Sequence, residues 1–539
     1  MDEQHEDGVD RRTVLRGLLA GGLVITAAGG GLIYRQATTD TTPPTEPGDD
    51  SPSRAAGGVL DEKVPDRDTD DEGYEIIGEG TREVAVADGN ELQDAIDQAE
   101  PGAKIVLASG VYTRDGGFVV AGKRGTRDRG LTIEAQEQGG AVFRERSSFL
   151  IRDCSHVVIR GIRHEGIVED DPQHMQHAFM ILDSDHVRIT RNHVVMDDAT
   201  GADVRDNDYV IIEGSSERNR IDHCYLGPKS TIGTFIYIRM NSAGTQVCQL
   251  TTIDHNHFDS LSGEPSSQYE PVRLGHSDAQ NSSGLTLFEH NLMTDCVADD
   301  EFISVKSSDN VIRYNTFRGM FGALVLRNGD RNDVYGNFWF GEDREASGGI
   351  TVNDGTGHRI WNNYLFGLTA EESNRPGGIV FEVLDFEEDQ VNRCSFVHNS
   401  IIDCARPVLV GRDRGDEYPY QPFDITVADN LIVAPTSPLI EADDGAEATL
   451  EGNVLSESEA EAAQPLTDAD NRSFTLERND DDLLLPAPGG SPRATRRWPM
   501  ITEDAQGRPR RGPGAVGALE AGGTPARAPL TPADVGPAS

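Results

Sequence analysis

Two short segments near the middle of the chain carry charged residues whose types suit one reaction. Asp299 and Glu301 shortly precede Lys306, and Arg327 follows Lys306 by 327 − 306 = 21 residues. Carboxylates are hard oxygen ligands that can hold a divalent cation. A lysine that loses its proton can act as a base, and an arginine stays charged beside a developing anion. This set suits abstraction of the proton next to a sugar carboxylate, followed by loss of the neighbouring sugar.

The two cations must be brought together by the elements that carry them. Lys306 ends the alternating run Ile303–Lys306, and Arg327 ends a second run over Ala323–Arg327. Both runs have the period of a β-strand. An offset close to one structural repeat predicts that Lys306 and Arg327 are neighbours on one face of a stacked sheet. The alternative is two solvated charges on separate strands, but the acids at 299–301 favour a shared site.

A short unit repeats from about residue 147 onward: a β-rich run, a turn, and then asparagine, any residue and an apolar residue. The asparagines are Asn192, Asn256, Asn291, Asn315, Asn337, Asn363, Asn399, Asn430 and Asn453, and Cys224 fills the same place. Units spaced by 315 − 291 = 24 and 337 − 315 = 22 residues must stack on their neighbours to bury a face. Asparagines at one corner can then form a ladder of amide hydrogen bonds.

The repeat predicts an all-β, single-stranded, right-handed parallel β-helix of roughly ten or more coils. A propeller is the alternative for a β-repeat of this length, but its Trp-Asp signature is missing. We expect the β-helix over residues 81–465, with an amphipathic helix at Glu91–Ala99 capping its first coil. Residues 466–521 lose the repeat and are predicted to form an irregular C-terminal cap. The Pro/Ala/Gly-rich residues 522–539 are predicted to be a disordered tail.

The N-terminal region has the features of an export signal. Arg11 and Arg12 precede a glycine-rich apolar run, so residues 1–35 resemble a signal of the twin-arginine (Tat) pathway, which exports folded proteins. Residues 36–80 are rich in Thr, Pro, Asp and Glu and are predicted to be an acidic disordered linker. We expect an extracellular protein, with a retained N-terminal membrane anchor as the alternative.

The composition narrows the choice of partners. A formal net charge of −44 argues against a nucleic-acid partner, because phosphate contacts need a basic face. Such spread acidity, with arginine in excess over lysine, is typical of halophilic proteins. The six cysteines lack metal-ligand spacing and are predicted to be small buried side chains: Cys154, Cys224, Cys248, Cys296, Cys394 and Cys404.

Three spaced motifs are similar to polysaccharide lyase family 6, which includes alginate lyases and chondroitinase B. They are Asp299-x-Glu301-x-Ile303-Ser304-x-Lys306-Ser307, Asn310-x-x-Arg313-x-Asn315-x-Phe317-Arg318, and Gly322-x-Leu324-x-Leu326-Arg327-x-Gly329 continuing to Asn337-Phe338. The similarity is strong over roughly 40 residues and weaker from about 85 to 460. It implies a β-helix and β-elimination on uronate polymers.

The resemblance also implies roles for individual residues. The family's base matches Lys306, its acid matches Arg327, and its calcium-binding carboxylates match Asp299 and Glu301. From its type and position, Glu270 is a further candidate for holding the calcium ion, whose predicted role is to neutralise the uronate carboxylate. Because arginine stays charged, Arg327 can instead stabilise the leaving alkoxide while water supplies the proton.

Other site residues include departures from the family pattern. Ser267 replaces an asparagine among the calcium ligands, and Asp299 itself is one methylene shorter than the family's glutamate. Asn328 replaces a histidine after the arginine. Thr351 replaces an arginine that binds substrate in the family. These changes bear on metal affinity and on sugar preference rather than on the base and the acid.

The predicted substrate-binding residues are Lys229, Arg273 and Asn328. Lys229 matches a family lysine, for which packing is the alternative to substrate contact.

The sequence therefore predicts a monomeric, secreted polysaccharide lyase that binds an anionic uronate polymer. Alginate is the first expectation, and a chondroitin or dermatan type is the second. A uronan C-5 epimerase shares the proton abstraction and stays open, as does a non-catalytic surface glycan-binding protein. A β-helix glycoside hydrolase would use paired carboxylates, but the Gly-His-Gly and Arg-Ile-Lys motifs of polygalacturonase-type enzymes are missing.

Overall fold

The structure is a computed structural model that describes most of the chain from residue 82 onward. The described residues are 82–145, 147–166, 176–195, 207–230, 232–263, 270–371, 375–383, 390–412, 420–458, 460, 466–467 and 473–539. The predicted export signal (1–35), the linker (36–80) and Ser267 lie outside these residues.

Three long sheets of short strands wind around a common core. Sheet A has 14 strands: Arg82–Val86, Ala103–Leu107, Leu131–Ala135, Ser155–Arg160, Asp185–Thr190, Arg220–Asp222, Thr252–Asp254, Leu287–Glu289, Val311–Arg313, Asp333–Tyr335, Arg359–Trp361, Ser395–Val397, Ile425–Ala428 and Ala448–Glu451. Sheet B has 13: Gly110–Tyr112, Ala141–Arg144, Arg163–Glu165, His193–Val195, Tyr225–Leu226, His257–Asp259, Leu292–Thr294, Thr316–Arg318, Phe338–Phe340, Tyr364–Phe366, Ser400–Ile402, Leu431–Ala434 and Val454–Glu457.

Sheet C completes each coil with 12 strands: Phe118–Ala121, Phe149–Arg152, Gln176–Leu182, Asn207–Glu213, Ile236–Ile238, Val272–Gly275, Glu301–Lys306, Gly322–Asn328, Ser347–Val352, Ile379–Phe381, Val408–Val410 and Ile440–Ala442. In all three sheets each strand pairs in parallel with the strand one coil later. The chain is thus a right-handed parallel β-helix, and the predicted fold is confirmed.

The first coil is closed by the one α-helix of the described residues, Gly89–Gln98. The Asp88 side chain accepts hydrogen bonds from the backbone N–H groups of Asn90 and Glu91, so the helix begins two residues before the predicted start. Leu92 and Ile96 are buried in the same core as the first coils. The predicted helical cap is therefore present.

The recurring asparagines form the predicted ladder. From Asn256 to Asn453, each side-chain amide donates to the amide oxygen of the next asparagine, over 2.9–3.1 Å. Cys224 takes the same place, and its backbone N–H donates to Asn256 Oδ1. All six cysteines are buried and free of disulfides, as predicted.

The C-terminal region differs from its prediction. Where residues 466–521 are described, they pack along the outer face of sheet B, with Leu484 and Val516 in a cluster with Phe338 and Leu431. Two antiparallel hairpins lie in this region, Leu466–Thr467 with Ser473–Phe474 and Leu476–Arg478 with Leu484–Pro486. Sheet B exposes apolar side chains on its outside, and burying them stabilises this arrangement.

The predicted disordered tail at 522–539 is also wrong. The Leu530 N–H donates to Thr316 Oγ1, and the Gly536 N–H donates to the carbonyl oxygen of His255. At the end of the chain, Arg191 donates to the carbonyl oxygens of Pro537 and Ser539. The tail contains few large apolar residues, but its backbone groups are paired with the coils. Among the described residues, no helix combines the length and apolarity needed to cross a membrane.

Candidate active site

Successive strands of sheet C place the predicted site on the outer face of four neighbouring coils. Tyr237, Arg273 and Ser304 are in register on the strands Ile236–Ile238, Val272–Gly275 and Glu301–Lys306. Their sequence neighbours Leu274, Ile303 and Val305 are buried in the interior. The alternation of a strand therefore directs Arg273, Ser304 and Lys306 outward.

A β-bulge corrects the predicted relation between Lys306 and Arg327. Val305 pairs with Leu326, but Lys306 pairs with Asn328, so Arg327 is the extra residue of the strand Gly322–Asn328. A bulge re-aims the side chains around it. The two cations therefore do not occupy equivalent register positions: Lys306 lies beside Glu270 and Arg327 beside Glu301.

Lys306 lies among carboxylates and is mostly buried. Its Nζ is 4.0 Å from Glu270 Oε1, and the side chain is 21% exposed. Burial lowers the pKa of Lys306 below its usual value, and the charges of Glu301 and Glu270 oppose this shift. A lysine with a lowered pKa is more readily deprotonated, as a base must be.

Glu301 links the two cations. Arg327 Nε is 3.7 Å from Glu301 Oε1, and Ser304 Oγ donates to Glu301 Oε2 over 2.5 Å. Burial opposes ionisation of this carboxyl, but the Arg375 charge and the Ser304 hydrogen bond outweigh it and lower the pKa of Glu301. Glu301 is therefore ionised and holds Arg327 beside Lys306.

Arg375 is a site residue that the sequence analysis did not find. It is only 4% exposed and donates through Nη2 to Glu301 Oε1 and through Nη1 to Asn353 Oδ1, the latter over 2.8 Å. Its Nε is 3.8 Å from Asp300 Oδ2, and its Nη1 is 4.0 Å from Glu382 Oε1. A buried arginine with this many acidic and amide neighbours is fixed in place.

A glycine pair in the next strand allows Arg375 to come so close. A Cβ on Gly348 would lie 2.7 Å from the Arg375 carbonyl oxygen, and a Cβ on Gly349 would lie 2.1 Å from that of Gly378. Only glycine fits where another backbone approaches a strand this closely. The Gly-Gly pair was thus a sequence signal for a segment packed against the strand Ser347–Val352.

Asp299 and Glu270 form the second carboxylate group. Asp299 Oδ1 accepts from the Glu301 N–H over 2.9 Å, whereas Oδ2 is buried and has no hydrogen-bond partner among the described residues. Burial, and then the charge of Glu270, raise the pKa of Asp299 to about 8. The Arg273 guanidinium donates to Glu270 Oε2. Burial and the neighbouring carboxylates therefore favour the protonated form of Asp299.

The carboxylates present do not fit the calcium ion that the family resemblance implies. Calcium takes six to eight oxygen ligands, but Glu301 gives its oxygens to Ser304, Arg375 and Arg327. Asp299 offers a single open oxygen, Oδ2, among the described residues. Within the described ranges, the ligand groups that do converge lie elsewhere, at His156, Asp185 and His186 and at His223, Asp254 and His255.

A row of cations leads away from Lys306 along sheet C. The Arg239 and Arg273 guanidinium groups lie 4.7 Å and 5.3 Å from the centre of the Tyr237 ring. The His276 ring is parallel to that of Tyr237, with centres 6.5 Å apart. Each arginine is also paired with carboxylates, Arg239 with Asp208 and Glu213 and Arg273 with Glu270, and the Tyr237 ring between them is buried.

The other predicted contacts are less accessible. Lys229 is only 1% exposed, donates to the Ile232 carbonyl oxygen over 2.9 Å and has its Nζ 5.7 Å from the Tyr209 ring centre. Packing, the alternative role, therefore replaces the predicted substrate contact. Asn328 accepts from Ser277 and donates to Asp354, which fixes its orientation beside Lys306. Thr351, in the place of the family's arginine, is buried.

The chain is similar to one known protein family and to several solved structures. The family model described as Chondroitinase B matches residues 86–488. No curated protein matches the chain. Among solved structures, the PL6 family alginate lyase AlyGC is 24% identical with a TM-score of 0.64, and the match covers 75% of this chain and 55% of that one.

Two further structures extend the comparison. The PL6 family polysaccharide lyase Pedsa3628 from Pseudopedobacter saltans is 18% identical with a TM-score of 0.60, covering 69% of this chain and 92% of its own. A PL6 alginate lyase in complex with a trisaccharide is 18% identical with a TM-score of 0.60, covering 80% and 95%. At these identities the structural likeness is a likeness of fold, and the chain spans about half the length of AlyGC, 55%.

Proposed function

The chain belongs to the chondroitinase B family, within polysaccharide lyase family 6, and we propose that it cleaves a uronate-containing polysaccharide by β-elimination. Alginate is the first candidate polymer, because solved relatives are described as alginate lyases. A chondroitin or dermatan type is the second, in line with the name of the matching family model. The observation that carries the proposal is that a lysine and an arginine lie beside carboxylates in one site, Lys306 beside Glu270 and Arg327 beside Glu301.

The outer face of sheet C around Lys306 binds the polymer. A uronate carboxylate meets the partly exposed guanidinium groups of Arg273 and Arg327. In molar salt, the repulsion between the acidic protein surface and the polyanion is screened beyond about 3 Å. Contacts at this face itself are less screened, and they orient the sugar with the proton next to its carboxylate towards Lys306.

Lys306 then acts as the base. In its neutral form, Nζ takes the proton next to the uronate carboxylate, and the electron pair moves towards the carboxylate. Arginine charges beside the carboxylate stabilise this carbanion. The bond between the neighbouring carbon and the glycosidic oxygen breaks, so a double bond forms at the new non-reducing end. Arg327 stabilises the leaving alkoxide, and water supplies its proton.

No step of this reaction passes through calcium. The ion implied by the family would be held by Asp299, Glu301, Glu270 and Ser267, but the first three do not converge on one position and Ser267 lies outside the described residues.

Export by the Tat pathway is also part of the proposal, supported by the paired Arg11 and Arg12.

A panel of polymers tests the proposal. Purified protein in molar salt is mixed with alginate, polymannuronate, polyguluronate, chondroitin sulfate and dermatan sulfate, and the ultraviolet absorbance of the unsaturated uronate is followed. Growth on one polymer establishes elimination and identifies the substrate class. A flat trace on all five contradicts the proposal. Exchange of the sugar proton with deuterated solvent in the absence of such growth would instead indicate a C-5 epimerase.

A further inference from the structure

We infer that this site works without a divalent cation and that Arg375 takes the place of that ion, acting as a positioning residue for Glu301. The inference rests on the proposed function for its catalytic meaning. Its physical content, a guanidinium where a metal ion is expected, can be tested without any substrate.

The contact between Arg375 and Glu301 is built into the fold. Both side chains are buried, at 5% and 10% exposure, and Nη2 of Arg375 donates directly to Glu301 Oε1. A second nitrogen of the same guanidinium, Nη1, donates to Asn353 Oδ1 over 2.8 Å. Breaking a buried pair by removing one partner leaves an uncompensated buried charge, so this contact is not an incidental surface pairing.

The backbone supports the same conclusion. The segment that carries Arg375 lies against Gly348 and Gly349, where any larger side chain would collide with the carbonyl oxygens of Arg375 and Gly378. The arginine therefore enters the site on a segment packed against sheet C. Its position is set by this packing as well as by its charge.

The positive charges and the hydrogen-bond donor around Glu301 disfavour the binding of a further cation to this carboxylate. Arg375 and Arg327 both approach Oε1, the latter at 3.7 Å, and Ser304 occupies Oε2. A divalent ion bound to the same carboxylate would be repelled by two guanidinium charges at close range. Fixed guanidinium groups already balance the charge of this carboxylate, so little of that charge is left to attract an ion.

Arg375 acts on the reaction through Glu301. With its own charge balanced by Arg375, Glu301 stays in place and holds Arg327 beside Lys306. Arg375 is too buried to be the main contact for a polymer, at 4% exposure. Its loss should therefore affect the orientation of Arg327 in the transition state more than the binding of the chain of sugars.

Calcium dependence is the first test. The wild-type protein is treated with EDTA, dialysed and assayed on its best polymer with and without added Ca²⁺. We expect kcat/KM to stay within about two-fold. In parallel, calorimetric titration of the EDTA-treated protein with CaCl₂ should show no saturable binding at the site. Loss of activity in EDTA that Ca²⁺ restores, or saturable binding that Glu301→Gln removes, would overturn the inference.

Substitution of Arg375 is the second test. We expect Arg375→Ala to lower kcat about 100-fold with little change in KM, because an interaction made mainly in the transition state is lost. Arg375→Lys should recover part of kcat. Arg375→Ala should also bind Ca²⁺ in the same titration, since an oxygen of Glu301 is released. An unchanged kcat in a folded Arg375→Ala protein would contradict the positioning role.

A matched control separates folding from positioning. Arg359 is also held by a buried carboxylate, with Nε and Nη2 at 2.7 Å and 2.6 Å from Asp333, but it lies on sheet A. Arg359→Ala should lower the melting temperature while leaving kcat and KM unchanged. If the wild type is inactive on every polymer, the proposed function fails, and the calcium titrations on wild type and Arg375→Ala still decide whether an arginine replaces the ion.

Discussion

The asparagine ladder and the row of cations on sheet C both arise because equivalent positions of successive coils stack on one another. They differ in how fully their polar groups are hydrogen-bonded within the protein. In the ladder, each buried amide donates to the next one over 2.9–3.1 Å, from Asn256 to Asn453. At the row of cations, Lys306 Nζ lies 4.0 Å from Glu270 Oε1, and Asp299 Oδ2 has no partner among the described residues.

This difference in pairing separates residues that stabilise the fold from residues that can bind a ligand. A row whose polar groups are all paired within the coils has nothing left for a ligand, and its removal should cost stability. Lys306, which is 4.0 Å from Glu270 and 21% exposed, can instead exchange this contact for a substrate. The following experiments test this division, from the largest expected effect to the smallest.

Removal of the base should have the largest effect. We expect Lys306→Ala to lower kcat by about 10³-fold or more, because no other group takes the proton, with a melting temperature close to wild type. The rate of unsaturated product formation measures this. Lys104→Ala is the control, since Lys104 pairs with Glu134 at 2.6 Å on sheet A. Substantial activity in Lys306→Ala would remove Lys306 from the base role.

Removal of the arginine should have the next largest effect. Arg327→Ala should lower kcat by about 10²–10³-fold, the range found when one stabilising donor is lost. Arg327→Lys keeps the positive charge but loses the planar set of donors, so its kcat should lie between those of wild type and Arg327→Ala. Steady-state kinetics of both variants provide the comparison. Equal activities for the alanine variant and wild type would show that the alkoxide is stabilised elsewhere.

A break in the ladder should act on stability alone. Asn315→Ala removes an amide that accepts from Asn291 and donates to Asn337, leaving buried groups unpaired. We expect a loss of about 2–4 kcal/mol in the free energy of unfolding, with kcat unchanged in the folded protein. Denaturant unfolding measures this, with the exposed Asn90→Ala as control. A specific loss of kcat without destabilisation would contradict the division between the two rows.

The pH dependence should show the smallest effect. Lys306 must be neutral to act, so kcat/KM should rise with pH and level off above the pKa of the lysine. Because burial lowers that pKa, the midpoint of the rise should lie below the usual lysine value of 10.5. The pH profile of kcat/KM at constant salt measures this. A midpoint at the ordinary lysine value would show that burial does not tune the base.

Much of the fold could be predicted because its signals are local. The asparagine positions mark one corner of each coil, and each ladder bond joins residues one coil apart, as at Asn315 and Asn337. Lys306 and Arg327 were found for the same reason. The bulge at Arg327 was not, because a register shift depends on how two strands pack rather than on the pattern of either one.

The missed features depend on contacts that are distant in sequence. Arg375 reaches Glu301 from 375 − 301 = 74 residues away, across intervening coils. The tail at 522–539 has the composition of a disordered segment, but its order comes from backbone hydrogen bonds to Thr316 and His255. Composition and periodicity do not report such contacts.

The chemical structure of the product tests the central claim most directly. Mass spectrometry of a polymer digest distinguishes elimination from hydrolysis, because an eliminated fragment lacks one water molecule relative to a hydrolysed one. We predict unsaturated oligosaccharides from the wild type and none from Lys306→Ala. A digest in which the new non-reducing ends are all saturated and carry the added water would contradict the account, because it would show that the acidic residues of this site cleave the polymer by hydrolysis.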